Sequence, residues 1–363
     1  MANFAVLTGS NHNVLNWERK LDREVNSIMK FTAFWGRGPT AAIRITDELS
    51  KGAGDTVYGT LLNTLTGSGV SGNTQLQGNE EAMVMHRQTL LIDQLRQGIK
   101  SAGRMDRQRT FINFMEEARE VLGKWGADTI DTWAANTLSG NTGETDTNLT
   151  GMSTPTAPTT TTGNTRIIYG PLADTTEVSL SASAGQSFRL TMLDEAVMLA
   201  DLASPVIEPI STPNGPKFVA ILHPWQIYSL KTDATAARVT WYDYNKAILQ
   251  GGAARGRDII GNPERGALGE YNNVLIHMDK RIPLAPSTTR VRRAVFFGAQ
   301  AGFAAFGRDG GSQNRFRFDQ QEEDYKNRLG IGVRIIGGQK KSVYNSIDRG
   351  TIVMSSFANT PSA

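Results

Sequence analysis

Cysteine is absent from the 363-residue chain. Disulfides, thiol catalysis, zinc–thiolate sites and iron–sulfur clusters are thereby excluded, and the composition fits synthesis in a reducing cytoplasm. Histidine is scarce: His12, His86, His223 and His277 are scattered, with no pair at i, i+4 and no H-E-x-x-H. The sequence therefore predicts neither a metal centre nor a histidine-based catalytic site. No apolar run approaches the ~18 residues of a membrane-spanning helix. The opening "MANFAVLTGSNHNVLNWERK" lacks a basic n-region, and "FAVL" is too short for an h-region, so no signal peptide is expected. Net charge is only +3, a small excess for a protein that reads DNA sequence.

What is present is a globular balance of 39% hydrophobic and 20% charged residues, with 37 glycines, many of them clustered in loops. Gly67, Gly69 and Gly72 spell G-x-G-x-x-G. A dinucleotide site needs a strand directly before that motif and a helix directly after it. Here "NTQLQGN" follows, with turn formers and a further glycine, so no helix N-terminus is available for a pyrophosphate. The β-prone runs "TVYGTLLNTLTG" and "EAMVMHRQTLLID" flank this stretch and predict a hairpin with a long polar tip. Arms of 11 to 13 residues would reach about 40 Å. Such a ribbon is not stable alone in water and needs another surface to lie on.

Ahead of the hairpin, Val14, Trp17, Leu21, Val25 and Ile28 follow helical spacing. This short amphipathic helix packs either on its own core or on a neighbouring subunit. After the hairpin, Phe111, Met115, Ala118, Leu122, Trp125, Thr129 and Trp133 trace one stripe of a long helix over 106–138. Asp106 stands near its start and Gly140 at its end, while Gly123 and Gly126 are expected to weaken and bend it. Residues 141–190, rich in Thr, Gly and Ser, predict a surface excursion or a mobile loop. "KFVAILHPWQIYSLKTD" predicts a buried strand running into a helix at Pro224, with His223 as a cap or strand end. The C-terminal stretch predicts strands broken at Gly337 and Gly338.

Several segments carry a family resemblance: "FWGRGPTAAIRITDELSKGAGDTV", "LLIDQLRQGIKSAGRMDRQRT", "FVAILHPWQIYSLKTD", "ERGALGEYNNVLIHMDKRIP", "AVFFGAQAGFAAFG" and "EEDYKNRLGIGVRIIGGQKKSVYN". In their order and spacing the chain resembles the major capsid proteins of tailed double-stranded DNA bacteriophages, within a divergent phage capsid family. The resemblance implies an α+β Hong Kong 97-like fold: an N-terminal arm (1–40), an E-loop hairpin (41–102), a peripheral domain with spine helix and Thr/Gly-rich loop (103–184), a mainly axial domain (185–300) and a return to the peripheral domain (301–363). It implies a non-catalytic shell protein without cofactor or metal, forming hexamers and pentamers of an icosahedral head around nonspecifically contacted double-stranded DNA. Expected partners are a separate scaffolding protein, since only about 40 residues precede the hairpin, a portal and a decoration or cement protein, with no membrane. The expected location is the virion, after synthesis in the bacterial host cytoplasm. Trp17, Leu21, Gly67, Gly69 and Gly72 are the candidate intersubunit contacts. An encapsulin-like compartment is the alternative. A nucleic-acid-binding reading rests on Lys100, Arg104, Arg107 and Arg109, which a solvated helix face explains equally well.

Overall fold

The computed structural model describes residues 11–38, 40–46, 54–62, 67–82, 85–109, 113–172, 174–181, 185–212, 215–233, 267–307 and 315–358. The chain opens with α1 (Asn11–Ile28), β1 (Trp35–Gly36) and β2 (Ile43–Thr46). The hairpin strands β3 (Thr56–Leu62) and β4 (Met85–Leu91) follow, then β5 (Asp93–Lys100), α2 (Arg104–Arg109) and α3 (Phe114–Leu138). Next are β6 (Ile167–Tyr169), α4 (Leu190–Asp201), β7 (Ile210–Thr212), β8 (Gly215–Leu222) and α5 (Pro224–Thr232). The remaining described elements are strands: β9 (Ala267–Tyr271), β10 (Val274–Met278), β11 (Val291–Phe297), β12 (Gly302–Phe306), β13 (Phe316–Glu323), β14 (Arg328–Lys341), β15 (Val343–Tyr344), β16 (Ile347–Asp348) and β17 (Thr351–Phe357).

Two sheets organise these elements. In the six-stranded sheet the order is β1-β2-β12-β14-β13, and β5 lies on the edge of β14 opposite β13. In the seven-stranded sheet the order is β6-β17-β11-β8-β10-β9, with β7 against β8. The last strand therefore does not stay with its chain neighbours: β17 joins β11 in the second sheet, while β12 to β14 belong to the first. One core lies between α1, α3 and the six-stranded sheet, and reaches Val219, Ile221, Val295 and Phe297 of the second. Alternate residues of the same strands, Phe218, Ala220 and Phe296, face a second core under α4 and α5. Burial on both faces is why "KFVAIL" is apolar without alternation.

Helix α3 is the spine between the cores. Asn113 caps it by accepting the Met115 N–H at 3.2 Å, and Glu116 and Glu117 stand in its first turn. It ends where Gly140 adopts a left-handed φ of +62°. The expected continuous helix from Asp106 is instead two pieces. Asp106 lies inside the short α2, and Phe111 falls outside the described residues. Gly123 and Gly126 are buried inside α3, where they admit neighbours. A Cβ on Gly126 would sit 2.8 Å from the Phe316 ring.

Two other expectations are corrected. β14 runs unbroken through Gly337 and Gly338. A Cβ on Gly337 would come 2.8 Å from the Phe306 ring, and one on Gly338 would overlap the Leu91 carbonyl, so both glycines admit crossing chain. The Thr/Gly/Ser-rich stretch after α3 is packed, with Thr150, Met152, Ser153 and Thr159 all buried. Trp133 Nε1 donates to the Asn148 carbonyl at 2.5 Å and Asn136 Nδ2 to the Leu149 carbonyl at 2.9 Å. Side-chain hydrogen bonds, which leave no periodicity, hold this segment.

Candidate assembly interface

β3 and β4 pair antiparallel from Thr56↔Leu91 to Leu62↔Met85. Each described arm has 7 residues, shorter than expected, because the flanking chain enters the six-stranded sheet as β2 and β5. Thr64, Leu65 and Thr66 lie outside the described residues. Side-chain alternation gives the ribbon two faces. On the inner face Val57 and Leu90 pack with Phe303 and Ala305. Gln88 Nε2 donates to the Lys341 carbonyl, the Val343 N–H donates to Gln88 Oε1 at 3.3 Å, and His86 stacks on Tyr344. The base of the ribbon thus rests on its own chain.

The outer face is different. Tyr58 is 45% exposed, Met85 57% and Leu91 52%, and the Arg87 guanidinium lies 3.3 Å over the Tyr58 ring. Tyr58, Met85 and Leu91 share this exposed face with Arg87 and Thr89, and exposed tyrosine, methionine and arginine together are the composition of a contact surface. The alternation in "MHRQTLL" held this signal.

Beyond the ribbon, residues 67–82 contain turns and no helix. Gly69 and Gly72 are left-handed, at φ +69° and +64°, and a Cβ at either would meet nothing within 4 Å. The Gly67 N–H donates to Glu81 Oε2 at 2.6 Å, and the Gly78 N–H to Glu80 Oε2 at 2.7 Å. Carboxylates thus occupy N–H groups that a phosphate would need, and no helix dipole is present, so the glycine motif is a turn device.

Trp17 and Leu21 are used differently from the expectation that they meet a neighbour. Leu21 has no exposed surface and lies in this chain's own core. Trp17 packs on Phe318, at 4.3 Å between ring centroids, and its Nε1 donates to the Met115 carbonyl at 3.4 Å. Of the α1 stripe, Trp17, Leu21 and Val25 pack internally, whereas Ile28 is exposed. The glycines of the tip are not brought near either residue.

The titratable groups are structural. His223 Nδ1 accepts the Trp225 N–H at 3.2 Å and caps α5, and burial beside Arg292 lowers its pKa to about 4. Burial, with Lys30 nearby, does the same to His277, to about 4. Arg281 binds Asp128, Asp131 and Asp279 at 2.7 to 3.2 Å, and Asp131 also accepts the N–H groups of Lys30 and Phe31, tying the end of α1 to α3. Lys341 and Asp348, each 1% exposed, form an ion pair of 2.8 Å. Sequence reading missed both clusters, whose members are far apart in the chain or hidden in a strand. Lys100 pairs with Glu323, and the Arg104 N–H donates to Asn327, so these members of the basic cluster engage the β13–β14 turn. Among the described residues no group of His, Asp and Glu could hold a metal ion, and no helix is long and apolar enough to cross a membrane.

A family described as "Phage capsid protein" matches residues 5–359. The chain belongs to that family. This capsid protein is 34% identical over 141 residues to the major capsid protein of Pseudomonas phage KPP25, a match covering 38% of this chain and 36% of that protein. Its fold is similar to the capsid of Ralstonia phage GP4 (TM-score 0.71, 24% identity, 91% of each chain). It is also similar to the Cyanophage Pam1 capsid (TM-score 0.69, 20% identity, 99% of this chain and 100% of that one). The head structure of Helicobacter pylori bacteriophage KHP40 follows at TM-score 0.62 and 16% identity, over 99% of this chain and 94% of that one. The α+β fold is therefore of the Hong Kong 97 type, and the protein is a structural subunit of the phage capsid.

Proposed function

We propose that this capsid protein is the repeating unit of an icosahedral head, assembling as hexamers and pentamers around double-stranded DNA, without catalysis. The observation that carries the reading is the ribbon: its outer face exposes Tyr58, Met85 and Leu91, and a Cβ at Gly69, Gly72 or Gly78 in its tip would meet nothing within 4 Å. Such a projection acquires a partner surface when copies pack under closed symmetry. On this reading residues 41–102 are the E-loop, 103–184 with α3 and the six-stranded sheet the peripheral domain, and α4, α5 and much of the seven-stranded sheet the axial domain. The intersubunit contact lies in the tip, at Gly67, Gly69 and Gly72, and along Tyr58, Met85 and Leu91, and does not include Trp17 and Leu21, which pack within the subunit. A separate scaffolding protein, a portal and a decoration protein are the partners, and assembly takes place in the host cytoplasm. Family membership favours the virus over an encapsulin-like compartment. Electron microscopy of the protein expressed with and without its neighbouring gene products tests this. Closed shells are expected. A protein that stays monomeric under every co-expression would overturn the reading.

A further inference from the structure

The face of the six-stranded sheet turned away from the core carries a row of three arginines. The register pairs Arg317 with Arg334 and Arg334 with Arg96, so all three stand side by side on adjacent strands. The burial of β14 alternates along its first half, with Leu329, Ile331, Val333 and Ile335 inward and Arg334 outward. Like charges directly opposite one another on a sheet are destabilising. By the same alternation Lys100 and Arg328 share this face, against the carboxylates of Asp319 and Glu323. Asp319 is held by Arg334 at 3.0 Å and Glu323 by Lys100, and at the other end of the row Arg317 Nη1 lies 3.8 Å from Oε1 of the buried Glu18. Arg96 is exposed at the end of the row. At the next register position Asp319, Gly332 and Gly98 line up, and the two glycines leave a flat floor beside the arginines.

The same chain holds a segment of opposite charge. Between Lys51 and Arg87 there is no lysine or arginine, and the only side chains charged at pH 7 are Asp55, Glu80 and Glu81. Glu80 and Glu81 are exposed at the tip of the ribbon. The Glu81 and Glu80 carboxylates accept the Gly67 and Gly78 N–H groups, and a carboxylate is an acceptor that an arginine guanidinium can also engage.

We propose that the Arg96–Arg334–Arg317 row is the seat for the acidic ribbon tip of a second copy of this chain, with Glu80 and Glu81 facing the arginines and the tip backbone over Gly98 and Gly332. This rests on the shell reading and adds the receiving surface to it. Charge pairing fixes the register of the contact more than its strength.

Because the chain has no cysteine, proximity is testable directly. Gln77→Cys on the tip and Gln94→Cys on the arginine face, combined in one chain, are oxidised in purified particles. The expected result is a ladder of disulfide-linked oligomers that collapses with reductant, whereas either single variant gives at most dimers. A parallel arm reverses charge. Arg96→Glu and the pair Glu80→Arg, Glu81→Arg should each lose particles by sedimentation and microscopy while the subunits keep the wild-type circular dichroism spectrum, and the combined variant should regain them. If wild-type shells form but the double-cysteine particles give no ladder, or if Arg96→Glu assembles at wild-type yield in low and high salt, the seat is elsewhere and the shell reading stands. Absence of shells from wild type would instead overturn that reading.

Discussion

The carboxylate of Glu18, on α1, accepts the backbone N–H of Phe318, in β13, at 3.1 Å. One turn further along, Asp22 accepts the N–H of Arg315, also at 3.1 Å. β13 is an edge strand whose ladder partner is β14, and an open edge invites pairing with another chain. Helix α1 closes that edge with acidic side chains, which explains why its acids turn inward while Arg19, Lys20 and Arg23 face solvent.

Removing this cap should be costly. Glu18→Ala leaves a buried N–H without its acceptor and is expected to lower subunit stability by about 1 to 3 kcal/mol. Glu18→Gln keeps an acceptor oxygen and should cost less. Urea denaturation of unassembled subunits measures both, and identical midpoints for wild type and Glu18→Ala would refute the capping role.

The Lys341–Asp348 pair gives a second test. Burial lowers the lysine pKa and raises that of the aspartate, each opposed by the partner's charge. Lys341→Met strands a buried carboxylate, and the expected loss is roughly 3 to 5 kcal/mol. Lys341→Met with Asp348→Leu should recover much of it. A double variant as unstable as the single one would place the energy in the hydrogen bond that the Asp348 carboxylate accepts from the Thr159 N–H.

Acid should act through opposing groups. The folded pKa values of His223 and His277, about 4, lie below the usual 6.5. Their contribution is present above pH 6.5 and lost as pH falls toward 4, by at most ~1.4 kcal/mol per unit each. Burial raises Asp131 from 3.8 to about 6, against the pull of Arg281, so its contribution grows as pH falls from 6 toward 4. His277→Asn should therefore flatten the loss of stability between pH 6.5 and 4, and Asp131→Asn should steepen it. Thermal melts across that range decide, and a change of slope in the reverse sense for either variant counts against these assignments.

Two glycines should respond differently to the same substitution. At Gly338 a Cβ overlaps the Leu91 carbonyl, so Gly338→Ala must separate β14 from the end of β4. Subunits of this variant are expected largely insoluble. At Gly69 only the left-handed φ opposes alanine, at a cost of about 1 to 2 kcal/mol, in a tip whose loss leaves the core intact. Soluble yield and melting temperature compare the two directly, and equal behaviour would show that close approach at Gly338 is not limiting.

Periodicity and turn chemistry alone determined the elements whose causes are local. These are the amphipathic stripe of α1, the stop of α3 at Gly140, the buried strand entering α5 at Pro224, the hairpin around Gly67–Gly72, and the absence of a helix after the glycine motif. Causes that depend on distant chain were invisible. Whether Leu21 met its own core or a neighbour was open, because an apolar stripe does not name what covers it. Gly337 and Gly338 spell a turn by composition and lie in a strand, since Phe306 and Leu91 cross there. Thr150, Ser153 and Thr159 spell a surface loop and are buried, since Trp133 and Asn136 tie down the neighbouring Asn148 and Leu149 carbonyls and Asp348 bonds Thr159. The arginine row exists only in the register of three strands drawn from residues 93–100, 316–323 and 328–341. Local preference acts over a few residues and is legible in the chain, whereas register, close approach and burial of polar groups arise between segments that meet only in the folded protein.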